Sequence, residues 1–103
     1  MLLTMSAYDA GARPLSGAQF ALDGHGYHAE IASVGAAIRV LTFNGRDLVR
    51  PFRADEPHPN FSGIILAPWP NRVIDAQYSW DGEDRRLAVT EPARGHALHG
   101  LLV

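Results

Sequence analysis

The feature that most constrains this chain is a set of tight, glycine-containing turns between short apolar runs. Asn44-Gly45 separates the run over residues 36–43 from "RDLVRPF", and Asn-Gly in this setting is the strongest short-range signal of a β-hairpin. Asp81-Gly82 divides "QYSW" from "EDRRLAV", and "DGHG" at residues 23–26 joins two further short runs. Because tight turns join antiparallel strands, the pattern predicts three hairpins in an antiparallel sheet.

The runs between the turns have the alternation of strands. In the second arm of the first hairpin, Tyr27, Ala29 and Ile31 alternate with His28 and Glu30, which gives one apolar face and one mostly polar face. The polar, proline-containing stretch at residues 53–60 is predicted to be a loop. No segment has a helical period for longer than a turn or two. The predicted fold class is all-β.

Length and composition favour one folded domain. The chain has 103 residues, of which 47% are hydrophobic and 19% charged, and this is too apolar for a disordered chain. We expect residues 1–16 to form a loose tail and residues 17–103 to fold. No basic region precedes the short apolar start, so a signal peptide is not indicated, and no run is long enough for a membrane-spanning helix. We expect a cytoplasmic protein without a membrane partner.

Charge and cysteine content exclude several classes of function. Nine arginines stand against eleven acidic residues, and the formal net charge of -2 gives no basic surface for nucleic acid. The absence of cysteine excludes disulfides and thiolate metal sites. The sequence also lacks a phosphate loop, a nucleophile elbow and a dinucleotide fingerprint. Oligomeric state is not indicated.

A rigid stretch, "LAPWPNR" at residues 66–72, is the first candidate for a binding site. Each proline steers the residue before it to extended backbone and cannot donate to a sheet ladder, so the chain should leave the sheet here. One interpretation is a loop that Trp69 anchors by packing. A polyproline ligand is a weaker alternative. In the functional interpretation, Arg72 presents its planar fork of donors to ligand oxygens, with Asn71 adding an amide contact or holding the loop.

The second candidate is "RGHALHGL" at residues 94–101, where glycines flank two histidines and disfavour a helix. In an extended segment His96 and His99 lie on opposite faces, so one can point at a pocket while the other packs or faces water. A metal site would need a third ligand, such as His58 or Glu91. Proton transfer suits a histidine, whose unperturbed pKa is about 6.5. A histidine that is hydrogen-bonded only to hold the fold remains an alternative.

Taken together, these motifs resemble the aldose 1-epimerases, also called galactose mutarotases. The resemblance covers "GIILAPWPNRVIDAQYSWDGEDRRLAVTEPARGHALHGL", and the upstream segment "GAAIRVLTFNGRDLV" also fits the family. The order and spacing of several short elements carry it, and these elements are Asn71-Arg72, Tyr78, Asp81-Gly82, Thr90-Glu91 and Leu98-His99-Gly100.

The resemblance implies a large antiparallel β-sandwich that interconverts the α- and β-anomers of free aldoses such as glucose or galactose, without a metal or cofactor. In this family a carboxylate takes the proton of the anomeric hydroxyl while a histidine protonates the ring oxygen, so the ring opens and can reclose. Arg72 matches the arginine that hydrogen-bonds the sugar, with Asn71 beside it as a further substrate-binding residue. His99 matches the first catalytic histidine, near the ring oxygen.

Two departures from the family pattern bear on activity. His96 stands where asparagine is commoner, so we assign it no role beyond loop support. The family's second histidine, its aspartate and its glutamate base follow far downstream of Leu-His-Gly. We therefore expect a truncated N-terminal part that lacks the general base and is inactive alone. The alternatives are a non-catalytic carbohydrate-binding or assembly module derived from the fold, and a plain interaction domain.

Overall fold

The computed structural model describes residues 4–8 and 13–102 of the chain. Within them it consists of β-strands, loops and single 3₁₀ turns, which confirms the all-β, antiparallel class. The residues form two compact units, and the boundary between them along the chain lies between Ile65 and Leu66. No helix in these residues is long and apolar enough to cross a membrane.

The first unit contains a five-stranded antiparallel sheet in the order β1-β2-β3-β4-β5. Because each strand pairs with the next one along the chain, the sheet is a simple meander, as tight turns between consecutive strands require. The strands are β1 (Thr4–Tyr8), β2 (Gln19–Gly24), β3 (Tyr27–Ala32), β4 (Ala37–Phe43) and β5 (Arg46–Asp47). The strand predicted over residues 36–43 begins one residue late, because a 3₁₀ turn occupies Val34–Ala36.

Two-residue turns connect the hairpins of this sheet. His25 and Gly26 have φ of 51° and 83°, and Asn44 and Gly45 have φ of 48° and 78°. Two consecutive positive φ values give the turn whose twist matches that of the flanking strands. The hairpins predicted at "DGHG" and Asn44-Gly45 are therefore confirmed.

The structure differs from the predicted loose tail at Thr4–Tyr8, which form β1. This strand pairs with β2 along its whole length, from Thr4 opposite Asp23 to Tyr8 opposite Gln19. The physical reason is that β2 has a second edge of backbone donors and acceptors, and a neighbouring extended segment satisfies them. Residues 1–3 and 9–12 of the predicted tail lie outside the described residues.

A buried arginine organises the polar part of the first unit. The side chain of Arg39, on β4, is 5% exposed and forms an ion pair with Glu30 on β3. Its Nε donates to Gln19 Oε1 at 2.6 Å, and its Nη1 donates to the carbonyl oxygen of Phe52 at 2.7 Å. A buried cation is tolerated only with such partners, so the network links three neighbouring strands to the segment that follows them. Beside it lies a small apolar cluster of Ala32, Ala37 and Phe52, with Ile64 packed against it.

The second unit contains two separate antiparallel ladders. In the first, β6 (Arg72–Val73) pairs with β9 (Ala97–Leu98). In the second, β7 (Gln77–Trp80) pairs with β8 (Glu83–Arg86) across the turn Asp81-Gly82, whose φ values are 51° and 75°. The third predicted hairpin is therefore confirmed, and β6 and β9 are the elements that position the candidate site.

Candidate functional site

The rigid stretch before Arg72 leaves the strands, as its prolines predict, and lies against the segment that follows β9. Ala67 forms a parallel bridge with Gly100, and the backbone N–H of Leu101 donates to the carbonyl oxygen of Ala67 at 2.7 Å. The peptide bond between Ala67 and Pro68 is cis. A Cβ added to Gly100 would lie 2.0 Å from that same carbonyl oxygen. The close approach of the two segments therefore requires glycine after His99.

Asn71 and His99 hold each other by two hydrogen bonds. The backbone N–H of Asn71 donates to Nδ1 of His99 at 2.9 Å, and the backbone N–H of His99 donates to the carbonyl oxygen of Asn71 at 2.8 Å. Both residues have positive φ, 57° and 59°. A neutral imidazole whose Nδ1 accepts carries its proton on Nε2. The pairing thus selects one tautomer of His99, with Nε2–H as a donor.

Arg72 is held by a carboxylate from the loop between β8 and β9. Its Nε donates to Glu91 Oε2 at 2.6 Å, and its Nη2 donates to Glu91 Oε1 at 2.8 Å. The hydrogen bonds to Arg72 lower the pKa of Glu91, and the same bonds raise the pKa of Arg72. On the other side of the guanidinium, Nη1 lies 3.4 Å from Oδ1 of Asn71.

His96 contacts the loop of Glu91 through its backbone and the turn after β6 through its ring. Nδ1 of His96 accepts the backbone N–H of Asp75 at 3.0 Å, and the His96 carbonyl oxygen accepts the N–H of Glu91 at 3.0 Å. Both histidine rings accept a backbone N–H from residues flanking β6. The positive φ of His99 interrupts the extended backbone on which the expected placement of the two rings on opposite faces depends.

Thr90 anchors the loop that carries Glu91. Its Oγ1 accepts the backbone N–H of Leu98 at 2.8 Å and lies 3.4 Å from the Leu98 carbonyl oxygen. The sequence marks Thr90-Glu91 as part of a motif and Glu91 as a possible metal ligand, and it gives no sign of the ion pair. The contact between Glu91 and Arg72 spans 19 residues, and no local pattern signals it.

The structure brings the three predicted site residues together in the second unit. Asn71 and Arg72 are consecutive, and His99 is bonded to Asn71. For the metal alternative, the described ranges contain no group of three histidine, aspartate or glutamate side chains that could hold an ion. The guanidinium of Arg72 carries several N–H donors and a neutral His99 carries one on Nε2, and groups of this kind bind hydroxyl and ether oxygens.

A family model and a curated relative match most of this chain. The family model described as aldose 1-epimerase matches residues 19–103. A curated relative, the uncharacterized protein YihR of Escherichia coli (strain K12), is 39% identical over 87 residues, which cover 84% of this chain and 28% of YihR. This chain therefore spans less than a third of that relative's length.

Two solved structures are similar in fold. A galactose mutarotase-like protein from Clostridium acetobutylicum has a TM-score of 0.73 at 20% identity and covers 95% of this chain and 31% of that one. A galactose 1-epimerase from Lactobacillus acidophilus NCFM has a TM-score of 0.65 at 15% identity, with coverage of 95% and 30%. The predicted mutarotase-like β fold is confirmed, with this chain matching a part of it.

Proposed function

Because this chain belongs to the aldose 1-epimerase family, we propose that it carries the sugar-contacting part of an enzyme that interconverts α- and β-anomers of free aldoses such as glucose or galactose. The observation that carries the proposal is the hydrogen-bonded pair of Asn71 and His99 beside the anchored guanidinium of Arg72. Two kinds of donor thus lie on adjacent segments of one small unit. A sugar offers several oxygens to such a set.

In the proposed reaction, His99 acts on the ring oxygen. Nε2–H of the imidazole donates to that oxygen as the C1–O bond breaks, and the open aldehyde then rotates about C1–C2 before it recloses. Negative charge grows on the ring oxygen as the bond breaks, so a donor aimed there stabilises the transition state more than the ground state. Arg72 and Asn71 hold hydroxyl groups of the sugar. This chemistry transfers protons and breaks and re-forms the C1–O bond with no change of oxidation state, so it calls for no metal or redox cofactor.

The base that removes the proton of the anomeric hydroxyl is proposed to lie outside these residues. Glu91 is the carboxylate bonded to Arg72, and the lowered pKa that results makes it a weak base. The relatives and solved structures in the comparison are more than three times as long as the part that this chain matches. A further segment of such length can supply the missing carboxylate.

Polarimetry and calorimetry together test this function. We expect the 103-residue chain to bind galactose or glucose weakly in a calorimetric titration and to leave the mutarotation rate at its buffer value. Arg72→Ala should abolish the binding heat, because it removes the guanidinium that is proposed to hold hydroxyl groups of the sugar. The control Arg85→Ala removes an exposed arginine of β8 and should leave binding unchanged. Acceleration of mutarotation by the pure chain would contradict the assignment of the base.

In a longer protein that contains this chain, substitutions of Arg72 and His99 should change different kinetic parameters. Arg72→Ala should mainly raise KM, because Arg72 contacts the sugar in the ground state and the transition state alike. His99→Ala should lower kcat by roughly 10²–10⁴-fold, which is the usual contribution of a general acid to the rate. Retention of both parameters in both variants would show that the assignment of these residues is wrong.

A non-catalytic carbohydrate-binding module is the second candidate. The observation that favours it is that, among the described residues, Glu91 is the acid bonded to Arg72 and is held as its ion-pair partner. A longer protein that binds sugar through Arg72 and shows no mutarotase activity would select this alternative.

A further inference from the structure

The carboxylate of Glu91 covers one edge of the Arg72 guanidinium, and the Arg72 side chain remains partly exposed. A guanidinium has five N–H donors arranged along fixed edges of a plane. Glu91 accepts from Nε and from Nη2, which together form the side edge. The end edge is formed by one N–H of Nη1 and one of Nη2. Nη1 lies at a long 3.4 Å from Oδ1 of Asn71, and the Arg72 side chain is 32% exposed, so solvent reaches a part of it.

Glu91 is itself fixed to the strand that precedes His99. Its backbone pairs with that of His96, and the neighbouring Thr90 binds the backbone of Leu98 on β9. The Glu91 side chain is 18% exposed, and its Oε1 also lies 3.5 Å from Nε of Arg94. The carboxylate therefore has little freedom, and the plane of the guanidinium that it grips is fixed with it.

We propose that Glu91 is a positioning residue that holds Arg72 so that the end edge of its guanidinium receives two neighbouring hydroxyl oxygens of the sugar, while Glu91 itself does not touch the ligand. The identity of the ligand rests on the proposed function. An arginine without such a partner must be immobilised when the ligand binds, and ordering one long side chain weakens an affinity by about 3–10-fold. Glu91 removes that cost before the sugar arrives.

The test uses the 103-residue chain and three variants. Glu91→Gln keeps the size of the side chain and removes the charge and one acceptor oxygen. Glu91→Asp keeps the charge on a shorter stem. Glu83→Gln is the matched control, because it removes the acid of an exposed ion pair with Arg85 on the separate β7–β8 ladder. In ¹H–¹⁵N spectra, the Nε–H resonance of Arg72 reports whether the side edge is bound, with or without sugar.

The expected results separate positioning from a merely structural role. In the unsubstituted chain and in Glu83→Gln, the Arg72 Nε–H resonance should be distinct and slow to exchange. In Glu91→Gln it should be averaged with those of the exposed arginines, and the Kd for galactose should rise about 3–10-fold. Glu91→Asp should partly restore the distinct Nε–H resonance and the galactose affinity.

The same resonance should also depend on pH. Arg72 lowers the pKa of Glu91, with Arg94 and His96 adding to the effect, so the Arg72 Nε–H resonance should persist as pH falls to about 4.5 and collapse only below it.

The remaining outcomes of the Glu91 experiment also support or overturn the positioning role. An Arg72 resonance and a galactose Kd that are both unchanged in Glu91→Gln would overturn the proposal. If Glu91→Gln fails to fold, as its backbone amide spectrum would show, Glu91→Asp decides: an unchanged resonance and Kd there would count against positioning, and an intermediate effect would support it. If the unsubstituted chain shows no response to sugar, the proposed function fails for this chain. The Nε–H resonance then decides alone, and its persistence in Glu91→Gln would overturn the proposal.

Discussion

Gly100 occupies a position at which any side chain would collide with the backbone of Ala67. Its φ is 80°, and a Cβ would lie 2.0 Å from the Ala67 carbonyl oxygen. We expect Gly100→Ala to lower the free energy of unfolding of the second unit by roughly 2–5 kcal/mol, the sum of the left-handed backbone cost and of overpacking. The measurement is urea unfolding followed by the fluorescence of Trp69 and Trp80, the two tryptophans of the chain, both in this unit.

Gly82→Ala is the matched control for that experiment. Gly82 has a φ of 75° and no atom within 4 Å of an added Cβ, so the substitution carries the backbone cost alone, about 1–2 kcal/mol. Equal effects of the two substitutions would show that the contact between Ala67 and Gly100 is not tight in solution.

His28 on β3 is a titrating residue away from the candidate site. Its Nδ1 lies 2.7 Å from Asp23 Oδ1, and its Nε2 lies 3.4 Å from Glu30 Oε1. The hydrogen bond to Asp23, followed by that to Glu30, raises the pKa of His28 above the ordinary value of 6.5. The protonated ring is therefore the stabilising form. Its contribution is fully present below pH 6.5 and is lost as pH rises through the raised pKa.

An NMR titration of the His28 ring protons checks this prediction. We expect a midpoint above pH 6.5 in the unsubstituted chain and a midpoint closer to 6.5 in Asp23→Asn, which removes the larger of the two causes. Asp47→Asn, on β5, should leave the midpoint in place. A midpoint at or below 6.5 in the unsubstituted chain would refute the assigned hydrogen bonds.

At the scale of the elements, the Arg39 network holds β2, β3 and β4 in register. Arg39→Met keeps the length of the side chain but leaves Gln19 Oε1 and the Phe52 carbonyl oxygen without their donor. A buried polar group left unpaired costs roughly 1–3 kcal/mol, so this substitution should destabilise the sheet. The measurement is the rate of amide hydrogen exchange in β2–β4, which should rise. Arg53→Met removes an exposed ion pair with Asp55 and should have no measurable effect. Similar exchange rates in the two variants would argue against a structural role for the network.

The elements also show which parts of the fold a sequence can predict. The three hairpins were predictable because each depends on two adjacent residues that accept positive φ. The pairing of Thr4–Tyr8 was not, because it depends on the open edge of a strand that follows more than ten residues later. Arg39 also gives no local sign of burial, since an arginine on a strand is usually exposed.

The candidate site was predictable in its members and not in its geometry. Asn71, Arg72 and His99 followed from a resemblance that carries residue types along the chain. The hydrogen bonds between Asn71 and His99 join residues 28 apart, and the contact between Arg72 and Glu91 joins residues 19 apart. Such pairings arise from the antiparallel contact of β6 with β9, which only the folded chain contains.

For the whole molecule, exposed apolar side chains predict self-association. Trp80 on β7 is 73% exposed and Tyr78 on the same face is 47% exposed. Contiguous apolar surface of this kind promotes association. We expect sedimentation velocity to show a weight-average mass that grows with concentration, and Trp80→Lys should reduce that growth. Gln77→Lys adds the same charge to the opposite face of β7 and should reduce it less. Equal reductions of the mass growth by Trp80→Lys and Gln77→Lys would assign the effect to the added charge. A monomer mass that does not change with concentration would contradict the prediction.

The pairing between Asn71 and His99 has a consequence for how such a site can diverge. The tautomer of His99 is selected by a backbone N–H, which every residue except proline supplies, whereas the side chain of Asn71 points its Oδ1 toward Arg72. Substitutions at position 71 can therefore change the surroundings of the guanidinium while the imidazole keeps its proton on Nε2. The surroundings of Arg72 and the tautomer of His99 can then vary one at a time.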